Sequence, residues 1–246
     1  MAKRGVCLFL AAALLSGSAA ATEAPDPGAE AVVETVQELS GREALLAAAV
    51  VTRARLETAD ALAQQQRWEE VPALLLDPLD AFFSGTAMRL DELLLEGMDA
   101  DLQTLAERAT DPATRADFST ELEEPAMRLD RAIKGTVLAG PSELAEVVSA
   151  LLRAVDHRYS AAYEAGSPST VGLLEASAIA GGTARLLDSH APSMRAQDAD
   201  TFELVRADLQ RVVQLTNQAE PTQEPPIAPA ELSALVAGIA SKLGRF

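Results

Sequence analysis

Residues 40–66, SGREALLAAAVVTRARLETADALAQQQ, decide the fold. Leu45, Ala48, Ala49, Thr52, Leu56, Ala59 and Leu62 step by three or four, which lays one apolar stripe along a helix. Ser40 and Glu43 have the spacing of a capping box, in which hydroxyl and carboxylate each accept from the other residue's amide. The helix they start runs to about Gln66. Arg53, Arg55, Glu57, Asp60 and Gln64 fall mainly off the stripe and are expected to meet solvent.

Outward from this stretch the same period continues. β-branched and aromatic residues are sparse, Ala and Leu abundant, and no alternating run exceeds a few residues. The reading is all-α: an up-and-down helical bundle. A first helix covers about 29–39. After the long helix, a short one precedes Asp77-Pro78 and a longer one follows, with Pro78 in its first turn and Gly97 at its end. Further helices are expected at about 99–109, at 113–139 with an interruption at Pro125, and from Ser142 to Gly166. Two more cover about 170–189, across Gly181-Gly182, and 197–217. Residues 219–229 are proline-rich and read as a semi-rigid linker to a terminal amphipathic helix at 230–246.

Residues one hundred apart echo one another. Glu43, Arg53-Ala54, Ala61, Val71 and Leu74 match Glu143, Arg153-Ala154, Ala161, Val171 and Leu174. Both copies read as long helix, irregular stretch, second helix, so the bundle at 22–218 is expected to consist of two loosely related halves.

The start of the chain speaks to its destination. Lys3 and Arg4 precede an apolar run from Val6 to Leu15, and Ala19-Ala20-Ala21 fits a signal-peptidase site. Cleavage before Thr22 implies export to the periplasm. The run is too short for a membrane span, which needs ~20 residues. Cys7, the one cysteine, leaves with this leader, so the mature chain holds no thiol for a disulfide, a metal or nucleophilic catalysis. Net charge is −17, or −19 once Lys3 and Arg4 are lost; such a surface repels phosphate backbones and argues against nucleic acid.

Catalytic patterns are missing: there is no G-x-S-x-G elbow, H-E-x-x-H pair or glycine-rich phosphate loop. The chain is read as non-enzymatic. Its most reactive stretch is 155–166, VDHRYSAAYEAG, where Asp156, His157 and Glu164 lie on one helix. With Glu175 and His190 they form the candidate metal set, since imidazole and hard oxygen donors suit iron or another divalent cation. The competing reading is a solvated helix face, usual in an acidic protein. The terminal helix carries an apolar face formed by Leu232, Leu235, Val236, Ile239 and Leu243; docking back on the bundle is the favoured reading, and a surface for a partner is its alternative.

Two segments carry a resemblance. LETADALAQQQRWEEVPALLLDPLDAFF (56–83) and LLRAVDHRYSAAYEAGSPSTVGLLEASAIAGGTARLLD (151–188) resemble imelysin-like periplasmic proteins and the helical periplasmic domains of bacterial iron permeases. Tyr159, Ala162 and Gly166 match a Tyr-x-x-Ala-x-x-x-Gly phrase. Of the family's His-x-x-His-Pro segment, Leu74 and Asp77 replace the histidines and Pro78 alone survives. The Gly-x-His-x-x-Glu signature is absent around His157, where Asp156 precedes and Ser160 stands three later. The resemblance implies a helical periplasmic accessory to metal or iron uptake with a degenerate site. The alternative function is an envelope scaffold that engages a protein partner and holds no metal.

Overall fold

The computed structural model describes residues 26–78, 82, 95–164, 168–217, 222 and 224–246. Among them there is no strand, and the helices pack as a bundle. They are α1 (Pro27–Gln37), α2 (Gly41–Gln64), α3 (Val71–Pro78), α4 (Met98–Thr110), α5 (Phe118–Gly135), α6 (Pro141–Glu164), α7 (Thr170–Ser189), α8 (Ala191–Thr216) and α9 (Pro229–Leu243). The leader, the helix expected after Pro78, Gly166 and part of the proline-rich linker lie outside the described residues.

Local chemistry sets the helix starts. Asp26 caps α1, its carboxylate accepting from the amides of Gly28 at 2.9 Å and Ala29 at 3.3 Å. Ser169 caps α7 by accepting from the Gly172 amide at 3.2 Å. Glu143 reaches back to the Ala139 amide at 2.6 Å and closes the turn that opens α6. The capping box expected at Ser40 does not form: its side chain makes no capping bond, and Gly41 enters α2 with a positive φ of 58°. Ser40 is itself extended (φ −130°, ψ 162°), as a cap requires, but the residue after it takes a left-handed conformation, which suits glycine, in place of a helical one.

Pro125 lies within α5 without ending it. In α8, by contrast, Asp198 breaks the helix with φ −152° and ψ 94°. Its carboxylate accepts from the amide of Thr201 at 3.0 Å and the hydroxyl at 2.6 Å, so it caps the second segment. The helix expected from about 197 therefore begins where the sequence places it, with a further stretch, 191–197, ahead of the break.

The hundred-residue echo reappears as geometry. α2 and α6 are each 24 residues long and start at Gly41 and Pro141. α6 is central, packing on α1, α2, α7 and α9, while α7 also contacts α2 and α8. α2 in turn touches α3 and α5, and α3 packs on α4. The two halves thus meet through α2, α6 and α7, and α1 lies on the second half. One apolar core runs through both, including Leu46, Leu62, Leu151, Leu152, Ile179 and Phe202. Each such side chain contributes about 1.5–3 kcal/mol on leaving water, before ordering entropy is charged against it.

Small residues bring the central helices close. A Cβ on Gly172 would lie 2.9 Å from the Ala162 Cβ, and one on Gly28 2.8 Å from the Ala161 Cβ. Ala161-Ala162, inside the 155–166 stretch, is where the backbones of α1 and α7 seat on α6.

Candidate functional site

The most unusual chemistry lies inside the bundle. Arg55 of α2 is 1% exposed and Glu175 of α7 0%. The Arg55 Nε donates to Glu175 Oε1 at 2.7 Å, and Arg158 Nε of α6 lies 2.7 Å from Glu175 Oε2. Arg158 Nη1 then donates to Asp26 Oδ2 at 2.5 Å, at the head of α1. At the other end, Arg55 Nη1 lies 3.8 Å from Asp77 Oδ2 near the end of α3. The result is a chain of alternating charge, Asp26–Arg158–Glu175–Arg55–Asp77, that touches five helices. Its interior is buried and its two ends are half exposed.

The environment fixes the charge states. Burial works to neutralise Glu175, but Arg55 and then Arg158 override it and hold the carboxyl below the usual range. Burial also opposes ionisation of Asp26, and its bond to Arg158 wins there as well. Asp77 behaves differently. Burial raises its pKa, Arg55 only partly compensates, and Glu175 adds a like charge. The chain is therefore tight at its Asp26 end and loose at Asp77.

Arg55 corrects the sequence reading, which placed it in solvent. Its position was visible: it falls three residues after Thr52 and four before Ala59, in line with the apolar stripe. A charged side chain stays there because Glu175, 120 positions away, supplies the counter-charge.

The five candidate metal ligands do not come together. Among the described residues, no three His, Asp or Glu side chains form a group able to hold a metal ion. Glu175 is taken by two arginines. Asp156 accepts from the Ser233 hydroxyl at 2.7 Å, which ties α6 to α9. His157 and Glu164 are exposed on α6. His190 sits between α7 and α8, its Nδ1 3.1 Å from the Leu186 carbonyl and 2.9 Å from the Ser189 hydroxyl. His157 and Glu164 stay on the exposed surface of α6, while Asp156 and Glu175 turn to partners on other helices.

The terminal helix docks back on the bundle, the favoured of its two readings, so the face offered as a partner surface is occupied. Leu232, Val236, Ile239 and Leu243 are buried and Leu235 is partly buried, as α9 packs on α6 and α8. Tyr159 fastens the approach: its hydroxyl donates to the Ile227 carbonyl at 3.0 Å, with Tyr163 5.1 Å away ring to ring. Lys242 to Asp208 at 2.5 Å and Arg245 to Asp198 at 3.1 Å complete the seat. An apolar stripe that finds a groove on its own chain is buried there rather than offered outward.

No described helix is long and apolar enough to cross a membrane. Compared with family models, with curated proteins and with solved structures, the chain matches none.

Proposed function

We propose that this chain is a non-catalytic helical scaffold of the cell envelope, exported by its leader and engaging a protein partner through its surface. The carrying observation is how the chemistry-bearing residues are used. Glu175, Arg55, Arg158 and Asp156 all pair across helices, and Tyr159 bonds to the segment that leads into α9, so each contact fixes the relation of one bundle element to another. The acidic surface suits a soluble exported protein that stays clear of nucleic acid and anionic lipid.

Metal uptake, the function implied by the resemblance to imelysin-like proteins, needs converging ligands, and the expected set is dispersed. Calorimetric titration of the processed chain with ferrous, ferric and zinc ions separates the two readings. The scaffold predicts no saturable heat. Saturable binding that disappears in His157→Ala or Glu164→Ala would overturn it in favour of metal uptake. Export has its own check: the processed chain should leave cells on osmotic shock, and retention of the unprocessed chain inside would refute that part.

A further inference from the structure

We infer that the outer edge of the Arg55 guanidinium is a seat for the carboxylate of a small organic acid, which the side chain of Asp77 fills incompletely. The observation is an unsatisfied donor pair. Arg55 is 1% exposed, and its Nε is committed to Glu175. Its Nη1 and Nη2 are both buried, and neither has a hydrogen-bond acceptor among the described residues. Asp77 faces this edge at 3.8 Å, beyond bonding distance.

A guanidinium edge presents two parallel N–H donors whose complement is a planar, bidentate oxyanion. Leaving two such donors buried and unused is costly. Carboxylate fits in charge and shape, and the space it needs is that which the Asp77 carboxylate now takes. Asp77 is held weakly: it is about half exposed, at the last turn of a short helix, and burial disfavours its charged form. It can swing into solvent and leave the seat to an incoming acid. The charged groups around it are Arg55 from α2, Arg158 from α6, Glu175 from α7 and Asp26 ahead of α1. Three carboxylates against two guanidiniums give this group a net charge of −1. With Asp77 swung out, a bound carboxylate restores the same balance, so the site selects single-charged acids over phosphate or dicarboxylates. The inference is independent of the scaffold reading.

Formate is the probe, with formamide as its uncharged planar counterpart, in a titration of the processed full chain followed by amide NMR. Saturable shifts confined to α2 and the end of α3 are expected with formate and absent with formamide. Asp77→Asn removes the competing charge and should tighten formate binding several-fold. Arg55→Lys keeps the charge, loses the two-donor edge and should weaken binding at least tenfold; if that variant does not fold, the Asp77→Asn comparison decides alone. The proposal is overturned if the wild-type chain shows no saturable shift, if formamide acts like formate, or if Asp77→Asn leaves formate affinity unchanged.

Discussion

Glu175 is the residue on which the interior charges converge. Replacing it with Gln keeps its size but removes the buried counter-charge, leaving Arg158 only the half-exposed Asp26 and Arg55 only Asp77 at 3.8 Å. Breaking one partner of a buried pair costs about 3–5 kcal/mol, far more than the pair contributes over an apolar substitute. Glu175→Gln should therefore lower the urea unfolding free energy by that amount, and a loss under about 1 kcal/mol would contradict the described pairing. The carboxylates also set opposite pH trends. Glu175 and Asp26 have folded-state pKa values below their unfolded ones, so the stability they add is present above the unfolded value and is lost as pH falls through the folded one. Asp77 is raised, so its ionised form costs stability at neutral pH and that cost is relieved by acid. Accordingly, Asp77→Asn should raise the urea midpoint at neutral pH while Asp26→Asn lowers it; the same sign for both would refute the assignment. Glu175 was legible in the sequence as a lone carboxylate in the apolar run VGLLEASAIAGG. Its arginine partners were not, because periodicity within one helix carries no information about a counter-charge on another, whether Arg158 on the preceding helix or Arg55 120 positions away.

At the scale of elements, helix identity follows closely from the sequence. The stretch 170–189 forms a helix with those bounds, and the turn at 139–143 restarts α6 as its Gly-Pro-Ser-Glu chemistry directs. What local pattern misses is contact between helices. The Ser40 box fails because Gly41 takes a left-handed entry, and the docking of α9, favoured from its apolar stripe, finds its groove on α6 and α8, which the stripe alone does not name. Close approach yields a prediction here. Ala at position 172 would gain helix propensity of up to about 1 kcal/mol. Its Cβ would nevertheless meet the Ala162 Cβ at 2.9 Å, a contact that only backbone movement relieves. Overpacking costs about 1–3 kcal/mol, so Gly172→Ala should be net destabilising by thermal melting. A raised melting temperature would mean that α6 and α7 are further apart than described. Tyr159→Phe tests the α9 approach: removing the donor to the buried Ile227 carbonyl should cost about 1–3 kcal/mol.

For the whole molecule, the two halves are expected to behave as one cooperative unit. Their joints are buried: α2 against α7, α2 against α6, and the charge chain that crosses all three. Trp68, the single tryptophan, reports on the first half, where it meets Phe118 edge to face at 5.4 Å. Its fluorescence and the far-ultraviolet helical signal should follow the same urea transition. Two separated transitions would show that the halves fold independently. The repeat was visible in the sequence as matched residues one hundred apart; α2 and α6 share its length and spacing, whereas the contacts between the copies needed the third dimension.

The most direct test of a bundle knit together by interior charge is a double-mutant cycle on Arg55→Met and Glu175→Leu, read by urea unfolding of the full chain. Contacting residues in such networks couple by about 0.5–3 kcal/mol, and a pair at 2.7 Å with both side chains buried belongs in the upper part of that range. A coupling above about 1 kcal/mol, with the double variant more stable than the Glu175→Leu single variant, is the predicted result. Simple additivity of the two changes would contradict it.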